Sequence, residues 1–397
     1  MDLILINPIP WNVSTYNRIH HFAELFSKDG NRVLFVNFPN VHFDKEKEKG
    51  RTIPNLEIWH NPYEFDLNPF NRLKKGTRIE SKIDSLAIRI LRRLQILKIF
   101  NFLKTAHQEK TQDVQKAYIK KFNEYSSSDE KFVLYQYPLL VDYVPFFKKK
   151  GFKIIYDSVD DISYWDSPTT QILAKEEYLM KNSDFVLATA KFLHERALKF
   201  NKNSYYLTNG AEFHHFIKAR EKWPRPSDLP SGKPIIGFFG LIAEHLDPKL
   251  LDYIISNRPD YNFVFIGNID PAFGDEIKRI KSKNENFFLL GPKKYEDLPQ
   301  YIHYFDTTLI PFVSLRQVTN AGHPVKIYEA LAGAKPVVSI FLKEMVGFPY
   351  VYISKNYEEF LKNIDLSLSA EIDLKQVDKF LEENTWEARI HQFKSYL

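Results

Sequence analysis

Cysteine does not occur among the 397 residues. Its absence excludes a disulfide framework, a cysteine zinc site, an iron–sulfur cluster and thiol catalysis. Glycine is scarce, with 14 residues, and neither GxGxxG nor the P-loop pattern occurs. A dinucleotide oxidoreductase and a P-loop nucleotidase are therefore not expected. No run of 18 apolar residues exists, so no membrane-spanning helix is expected. His, Asp and Glu are not clustered at metal-ligand spacing, and no bound metal and no cofactor are expected. The opening MDLILINPIP has no basic residue before its short apolar run. It reads as a first buried strand rather than a signal peptide, which leaves a cytoplasmic protein as the expectation.

What is present is ordinary globular composition, 44 % hydrophobic and 26 % charged. The length exceeds what one hydrophobic core serves, so two domains are expected. Lys and Arg number 55 against 50 Asp and Glu, a net charge of +5. The excess is local. Residues 72–104 hold ten basic side chains and two acids, a local charge of +8 that leaves −3 for the remainder.

Short apolar runs alternate with helical patterns. Candidate strands are Leu3–Ile6, Val33–Val36, Phe132–Tyr135, Ile154–Tyr156, Phe185–Ala188 and Ser204–Leu207, then Ile235–Phe239, Asn262–Ile266, Phe287–Leu290, Thr307–Pro311 and Pro336–Ser339. Most are too uniformly apolar to have a wet face, which indicates parallel strands covered on both sides. Helical patterns fill the gaps, the last at about 375–396, so the fold class is α/β with two doubly wound, Rossmann-like domains. Residues 218–234, KAREKWPRPSDLPSGKP, have four prolines and no apolar periodicity, and read as a linker. The expected division is 1–217, linker 218–234, 235–374, and a terminal helix at 375–397 crossing back to the first domain.

Two stretches of the second half carry chemistry. The strand IIGFFG ends on Gly240, where ligands approach parallel sheets; a plain tight turn is the alternative. HPVKIYEALAGAKPVVS, 323–339, opens a helix with Pro324 at its start. Lys326 and Glu329 stand three apart on one face. Lys326 could meet an anion and Glu329 the two hydroxyls of a ribose; a surface ion pair is the alternative.

Together with NFFLLGPKKYEDLPQYIHYFDTTLIPF, these stretches resemble, in order and spacing, the nucleotide-sugar half of GT-B glycosyltransferases of the group 1 type. Within that type they look similar to the subgroup of bacterial polysaccharide transferases of the teichuronic-acid kind. YQYPLL (135–140) and YDSVDD (156–161) look similar to the acceptor half. The resemblance implies that Glu329 holds the donor ribose, Lys326 the diphosphate and Gly240 the adjoining loop. It places the backbone at Val325 and the strand end up to Lys293 near the base. There are departures. Many relatives carry an acid eight residues before the ribose Glu, and here that position is Ala321. Many carry Arg and Lys after the first glycine, where this chain reads LIAEHLD.

On the acceptor side, Asp157 and Asp160 follow a buried strand and are the candidate catalytic carboxylates, since an inverting transferase needs a general base. Asp161 is a candidate acceptor contact. Helix capping is the alternative for the Asp160–Asp161 pair. The loop Pro8–Thr15 is expected at the same edge. Arg18 and His20 open the next helix and are candidate acceptor contacts, although a lone His is more often structural.

Between Lys82 and Lys104 the apolar residues form a helical stripe with Arg89, Arg92 and Arg93 mostly off it. A core-packed helix with a basic face is one reading; docking on an anionic membrane surface through 82–104 is the other. No recognised nucleic-acid module accompanies it, so no nucleic-acid partner is expected. The functional expectation is transfer of a sugar from a nucleoside-diphosphate donor to a glycan or lipid-linked acceptor, at the inner face of a membrane. Rival readings are a nucleotide-sugar 2-epimerase of the same fold and a non-enzymatic two-lobed binding protein.

Overall fold

In a computed structural model of the chain, residues 1–7, 11, 17–37, 53–61, 112–164 and 170–397 are described. The basic stretch 72–104 with its helical pattern, and most of the Pro8–Thr15 loop, lie outside them. By compactness the chain divides into two units, Met1–Val13 with Phe26–Ile154, and Ser14–Leu25 with Ile155–Leu397.

The first unit carries four strands, β1 (Asp2–Asn7), β2 (Arg32–Asn37), β3 (Leu56–Trp59) and β4 (Lys131–Tyr135). They pair in parallel, with β1 between β2 and β4 and with β3 on β2. β1 is buried at every position, and β2 at all but Arg32.

β5 (Lys153–Ser158), β6 (Phe185–Ala188) and β7 (Ser204–Tyr206) also pair in parallel. The first sheet runs β3-β2-β1-β4-β5-β6-β7. The second unit also holds a complete six-stranded sheet. Its strands are β8 (Ile235–Phe239), β9 (Asn262–Ile266), β10 (Phe287–Leu289), β11 (Thr307–Ile310), β12 (Val337–Ile340) and β13 (Val351–Ser354). Their order is β10-β9-β8-β11-β12-β13, and all five pairings are parallel. β8, β9, β11 and β12 are buried throughout. That is why these runs lack polar alternation: helices cover both faces. Each large apolar side chain so buried contributes about 1.5–3 kcal/mol.

The two strands that the apolar runs do not reveal, β3 and β13, are both edge strands with half-buried side chains. An edge strand is covered less completely, so its sequence need not be uniformly apolar. The C-terminal pattern is one helix in the sequence and two in the structure, Leu374–Glu382 and Trp386–Lys394. Thr385 breaks it by accepting the Ala388 N–H at 3.1 Å, an N-cap.

That break lets the chain hydrogen-bond to the segment after β7. Ala211 N–H donates to Asn384 O at 2.7 Å, and Trp386 N–H to Ala211 O at 3.3 Å. The Trp386 ring stacks on His21, with centroids 4.6 Å apart, and Tyr396 stacks on Tyr205 at 4.2 Å. Gly210 permits the approach: a Cβ there would lie 2.8 Å from Trp386 N and 2.9 Å from Thr385 C, both backbone atoms. Gly210→Ala should therefore unseat the last helix and cost about 1–3 kcal/mol, as overpacking does. Urea unfolding would read the loss and limited proteolysis would show cleavage near 383–386. An unchanged midpoint would mean that the contact is not tight.

Candidate active site

Parallel pairing puts the C-terminal ends of β8, β9, β10 and β11 on one edge of the second sheet. Three of them end on glycine: Gly240 after β8, Gly267 after β9 and Gly291 two residues beyond β10. They hold one another. Gly240 N–H donates to Ile266 O at 2.8 Å, and Gly267 N–H to Gly291 O at 3.0 Å. A Cβ on Gly267 would fall 1.8 Å from the Gly240 carbonyl oxygen. Gly240 itself has φ +128°, a conformation that side chains resist. A Cβ there would lie 2.1 Å from Cε of Lys326. The lysine stem thus lies where any other residue at 240 would place its side chain.

Lys326 opens the helix Lys326–Ala332, with Val325 already in helical conformation. Among the described residues the N–H groups of Val325 and Lys326 have no acceptor, and Lys326 Nζ and the Glu329 carboxylate have no hydrogen-bond or ion-pair partner. The two are therefore not a surface ion pair. Both are partly buried. Burial pushes the Glu329 carboxyl up to about 7; Lys326 opposes this and Glu212 adds to it. Burial also pulls the Lys326 ammonium down, against the pull of Glu329.

Further groups complete this edge. Glu212 accepts the Tyr295 hydroxyl, and the Tyr295 ring stacks on His215 at 4.4 Å. His245, in the loop after Gly240, meets Phe312 edge-on at 5.0 Å, and its carbonyl accepts Val313 N–H at 2.8 Å. Burial and nearby Lys326 lower the His245 imidazole to about 4. Glu212, His245, Gly267 and Gly291 were not among the sequence candidates. The glycines carried a legible signal, one glycine after each of three buried strands; the other two became visible only in three dimensions.

The remaining candidates have internal partners. Asp157 is wholly buried and takes Arg18 in a two-point pair, Nε–Oδ2 2.8 Å and Nη2–Oδ1 2.9 Å. Both carboxylate oxygens are occupied, so Asp157 orients Arg18 instead of standing open as a general base. Arg18 also donates to Thr208 O at 2.7 Å and lies over the Phe22 ring; it is a buried anchor, not an open acceptor contact. His20 is buried, and its Nδ1 accepts Asn17 N–H at 3.1 Å, the structural alternative. Asp161 accepts the Ser163 N–H at 3.2 Å and its hydroxyl at 2.7 Å, together with Arg196 Nη1 at 3.0 Å; it caps the turn Ile162–Tyr164. Asp160 is the exposed member of the three aspartates. Lys293 is drawn to Asp228 at 2.6 Å and over the Tyr301 ring, because the 218–234 segment passes there. The structure thus brings Gly240, Val325, Lys326 and Glu329 together, and gives Asp157, Arg18, His20, Asp161 and Lys293 partners of their own.

A polar chain links the two groups. Arg18 Nη1 reaches Asn209 Oδ1 at 3.5 Å, and Asn209 Nδ2 donates to His323 O at 2.9 Å, three residues before Lys326. His323 is buried, and burial lowers its imidazole to about 3. Its Nε2 lies 3.3 Å from the Tyr328 hydroxyl.

No protein-family model matches the chain. It is 26 % identical over 219 residues to the Bacillus subtilis (strain 168) protein TuaH, whose name assigns it to teichuronic acid biosynthesis as a glycosyltransferase; the match takes in 50 % of this chain and 54 % of TuaH. The chain thus spans about half the length of that relative. Sucrose-phosphate synthase from Thermosynechococcus elongatus superposes over 99 % of this chain and 97 % of its own, with TM-score 0.68 and 14 % identity. Anabaena HepE, solved in complex with UDP-glucose, covers 99 % of this chain and 98 % of its own, with TM-score 0.63 and 12 % identity. The fold is that of the GT-B glycosyltransferases.

The buried Arg18–Asp157 pair makes a measurable demand. Removing one partner strands a charge and should cost about 3–5 kcal/mol. Arg18→Met should therefore unfold at much lower denaturant than the parent, and Arg18→Met with Asp157→Leu should recover most of the loss. Equal stability of the parent and the single variant would refute the anchoring role.

Proposed function

We propose that the chain is a glycosyltransferase that moves a sugar from a nucleoside-diphosphate donor to a glycan or lipid-linked acceptor in cell-surface polysaccharide synthesis. One observation carries the reading: an ammonium and a carboxylate, three residues apart at the strand-end edge beside Gly240, neither with a partner among the described residues. A nucleoside diphosphate supplies what each lacks. Its phosphates neutralise Lys326 and meet the open N–H groups of Val325 and Lys326; its ribose hydroxyls donate to Glu329. The likeness to TuaH and the UDP-glucose bound to HepE support the same reading.

In this reading Lys326 supplies the counter-charge for the leaving diphosphate, and no bound metal is needed. Asp160, exposed just past β5, is our candidate for contact with the acceptor hydroxyl. Among the described residues no helix is long and apolar enough to cross a membrane. We assign docking on an anionic inner membrane face to 82–104 from its sequence.

Two measurements test the donor site. In thermal shift with UDP, GDP, ADP and their sugars, one base series should stabilise the protein, by about 2.7 kcal/mol at a hundredfold excess over Kd. Lys326→Ala and Gly240→Ala should abolish the shift while remaining folded. Either variant keeping full donor affinity would sink the assignment.

The second measurement is pH. The folded Glu329 carboxyl holds its proton up to about pH 7, whereas the unfolded one releases it near 4.5. The folded state therefore binds more protons between these values, and stability falls as pH rises through that window. Glu329→Gln should match the parent near pH 4.5 and exceed it by about 2–3 kcal/mol at pH 8. Ribose hydroxyls favour the ionised form, so the parent's donor affinity should rise across pH 7 while the variant's does not. Parallel stability curves would refute the burial of Glu329.

A further inference from the structure

We propose that the first unit carries a glycan-holding site of its own, a cavity beside β3 that takes a sugar chain bearing single negative charges. Its use in the reaction, to keep hold of a polymer that is being extended, rests on the donor reading above; the binding itself does not.

The cavity has a volume of about 330 Å³ and lies between the end of β3 and the helix at 112–124. The sequence of that helix divides into two faces. Val114, Tyr118 and Phe122, four apart, are buried. Asp113, Lys116, Ala117, Lys120, Lys121 and Glu124, at alternating steps of three and one, line the cavity. The helix is tied to the strand at both ends. Asn61 Nδ2 donates to Val114 O at 3.0 Å, and the Tyr125 hydroxyl to Glu57 Oε2 at 2.9 Å. Trp59, the last residue of β3, completes the lining. Its ring is half-buried and meets Tyr118 edge-on, with centroids 5.3 Å apart. In the sheet order β3 is the edge strand, four places from β5, whose end carries Asp160. The cavity is therefore not the acceptor contact assigned above.

The lining fits one ligand chemistry. Of its three lysines, Lys121 takes Glu124 at 2.7 Å, with Glu57 behind it at 2.5 Å, and Lys116 lies 3.6 Å from Asp113. Both carboxylates of the lining are thus answered, and Lys120 is left with no hydrogen-bond or ion-pair partner among the described residues. The Trp59 indole N–H has none either. One aromatic ring, one indole donor and one spare ammonium share the cavity. A pyranose ring offers C–H groups to an aromatic face and hydroxyls to the polar side chains around it. A single anionic group on the chain, a carboxylate or a phosphodiester, matches the spare ammonium. A nucleoside polyphosphate brings more charge than one ammonium answers, and would meet Asp113 and Glu124 at the two ends of the lined stretch. A membrane surface would need an aromatic that projects, whereas Trp59 lines a recess.

The test is calorimetry on the full chain, without donor, against oligogalacturonate, a glycerol-phosphate oligomer and maltohexaose. An anionic chain should bind, and the neutral one about tenfold more weakly; which anionic chain binds separates carboxylate from phosphodiester. Lys120→Gln should weaken that binding about tenfold, the loss of a charge-assisted hydrogen bond, and Trp59→Phe about threefold, the loss of a neutral one. Lys202→Gln, at an exposed lysine elsewhere, should leave it unchanged. Lys120 is exposed and has no partner to lose, so its variant should unfold at the parent's denaturant midpoint. In turnover, Lys120→Gln should raise KM for a long anionic acceptor without changing kcat or donor affinity; an unchanged KM would overturn the polymer-holding role. If Lys120→Gln binds the anionic chains as the parent does, or if the parent binds none of the three, the proposal falls. It falls also if the parent binds anionic vesicles through Lys120 and no glycan. If Lys120→Gln loses glycan binding while Lys326→Ala keeps full diphosphate affinity, this site stands and the donor reading falls.

Discussion

Lys326 lies across Gly240 where a side chain would otherwise be, and the edge of the second sheet is arranged around that fact. The stem is pressed against bare backbone, the ammonium lies beyond it, and among the described residues no carboxylate pairs with it. Glu329, one helical turn on, is close enough to be felt and too far to pair. Leaving two ionisable groups partly buried and unsatisfied lowers the stability of the free protein. Native structures retain such faults mainly where a ligand removes them. Gly267 belongs to the same constraint, because the Gly240 carbonyl occupies the space of its missing Cβ. Two adjacent strand ends are therefore cleared of side chains so that one lysine can lie flat.

Arg18 and Asp157 show the opposite solution with similar groups. They are more deeply buried, but each guanidinium edge and each carboxylate oxygen is matched. Such a pair adds little net stability over an apolar replacement, yet it is specific in geometry. It fixes the start of the helix Arg18–Lys28 against Thr208 and Asn209, and Asn209 in turn holds the His323 carbonyl at the entry to the Lys326 turn. The satisfied pair thus sets where the unsatisfied one stands. The orientation of Lys326 follows from this chain of contacts as well as from its own helix.

How far the sequence was legible follows from the same division. The central strands β8, β9, β11 and β12 declare themselves, because cover on both faces leaves only apolar residues. The edge strands β3 and β13 do not, because a half-covered strand tolerates polar positions. Lys326 and Glu329 drew attention by opening a helix directly after a strand and loop and by the resemblance; their spacing alone fitted a surface ion pair equally well. The partners of Asp157 and Lys293 were not legible, because Arg18 lies 139 residues from the first and Asp228 65 from the second. A carboxylate at a strand end looks the same in sequence whether it waits for a substrate or grips an arginine.

Ala321 shows why the departures from the resemblance form one pattern. It is buried in an apolar cluster with Ala188, Ala190 and Leu193. An acid at this position would lose its hydration with no partner to replace it, so the methyl is required by the packing around it. Among the described residues, Lys326 Nζ and the Glu329 carboxylate have no hydrogen-bond or ion-pair partner at this edge. Fewer fixed charges mean that each must respond more strongly to what binds. That matches the directions of their shifts: burial drives both toward their neutral forms in the free protein.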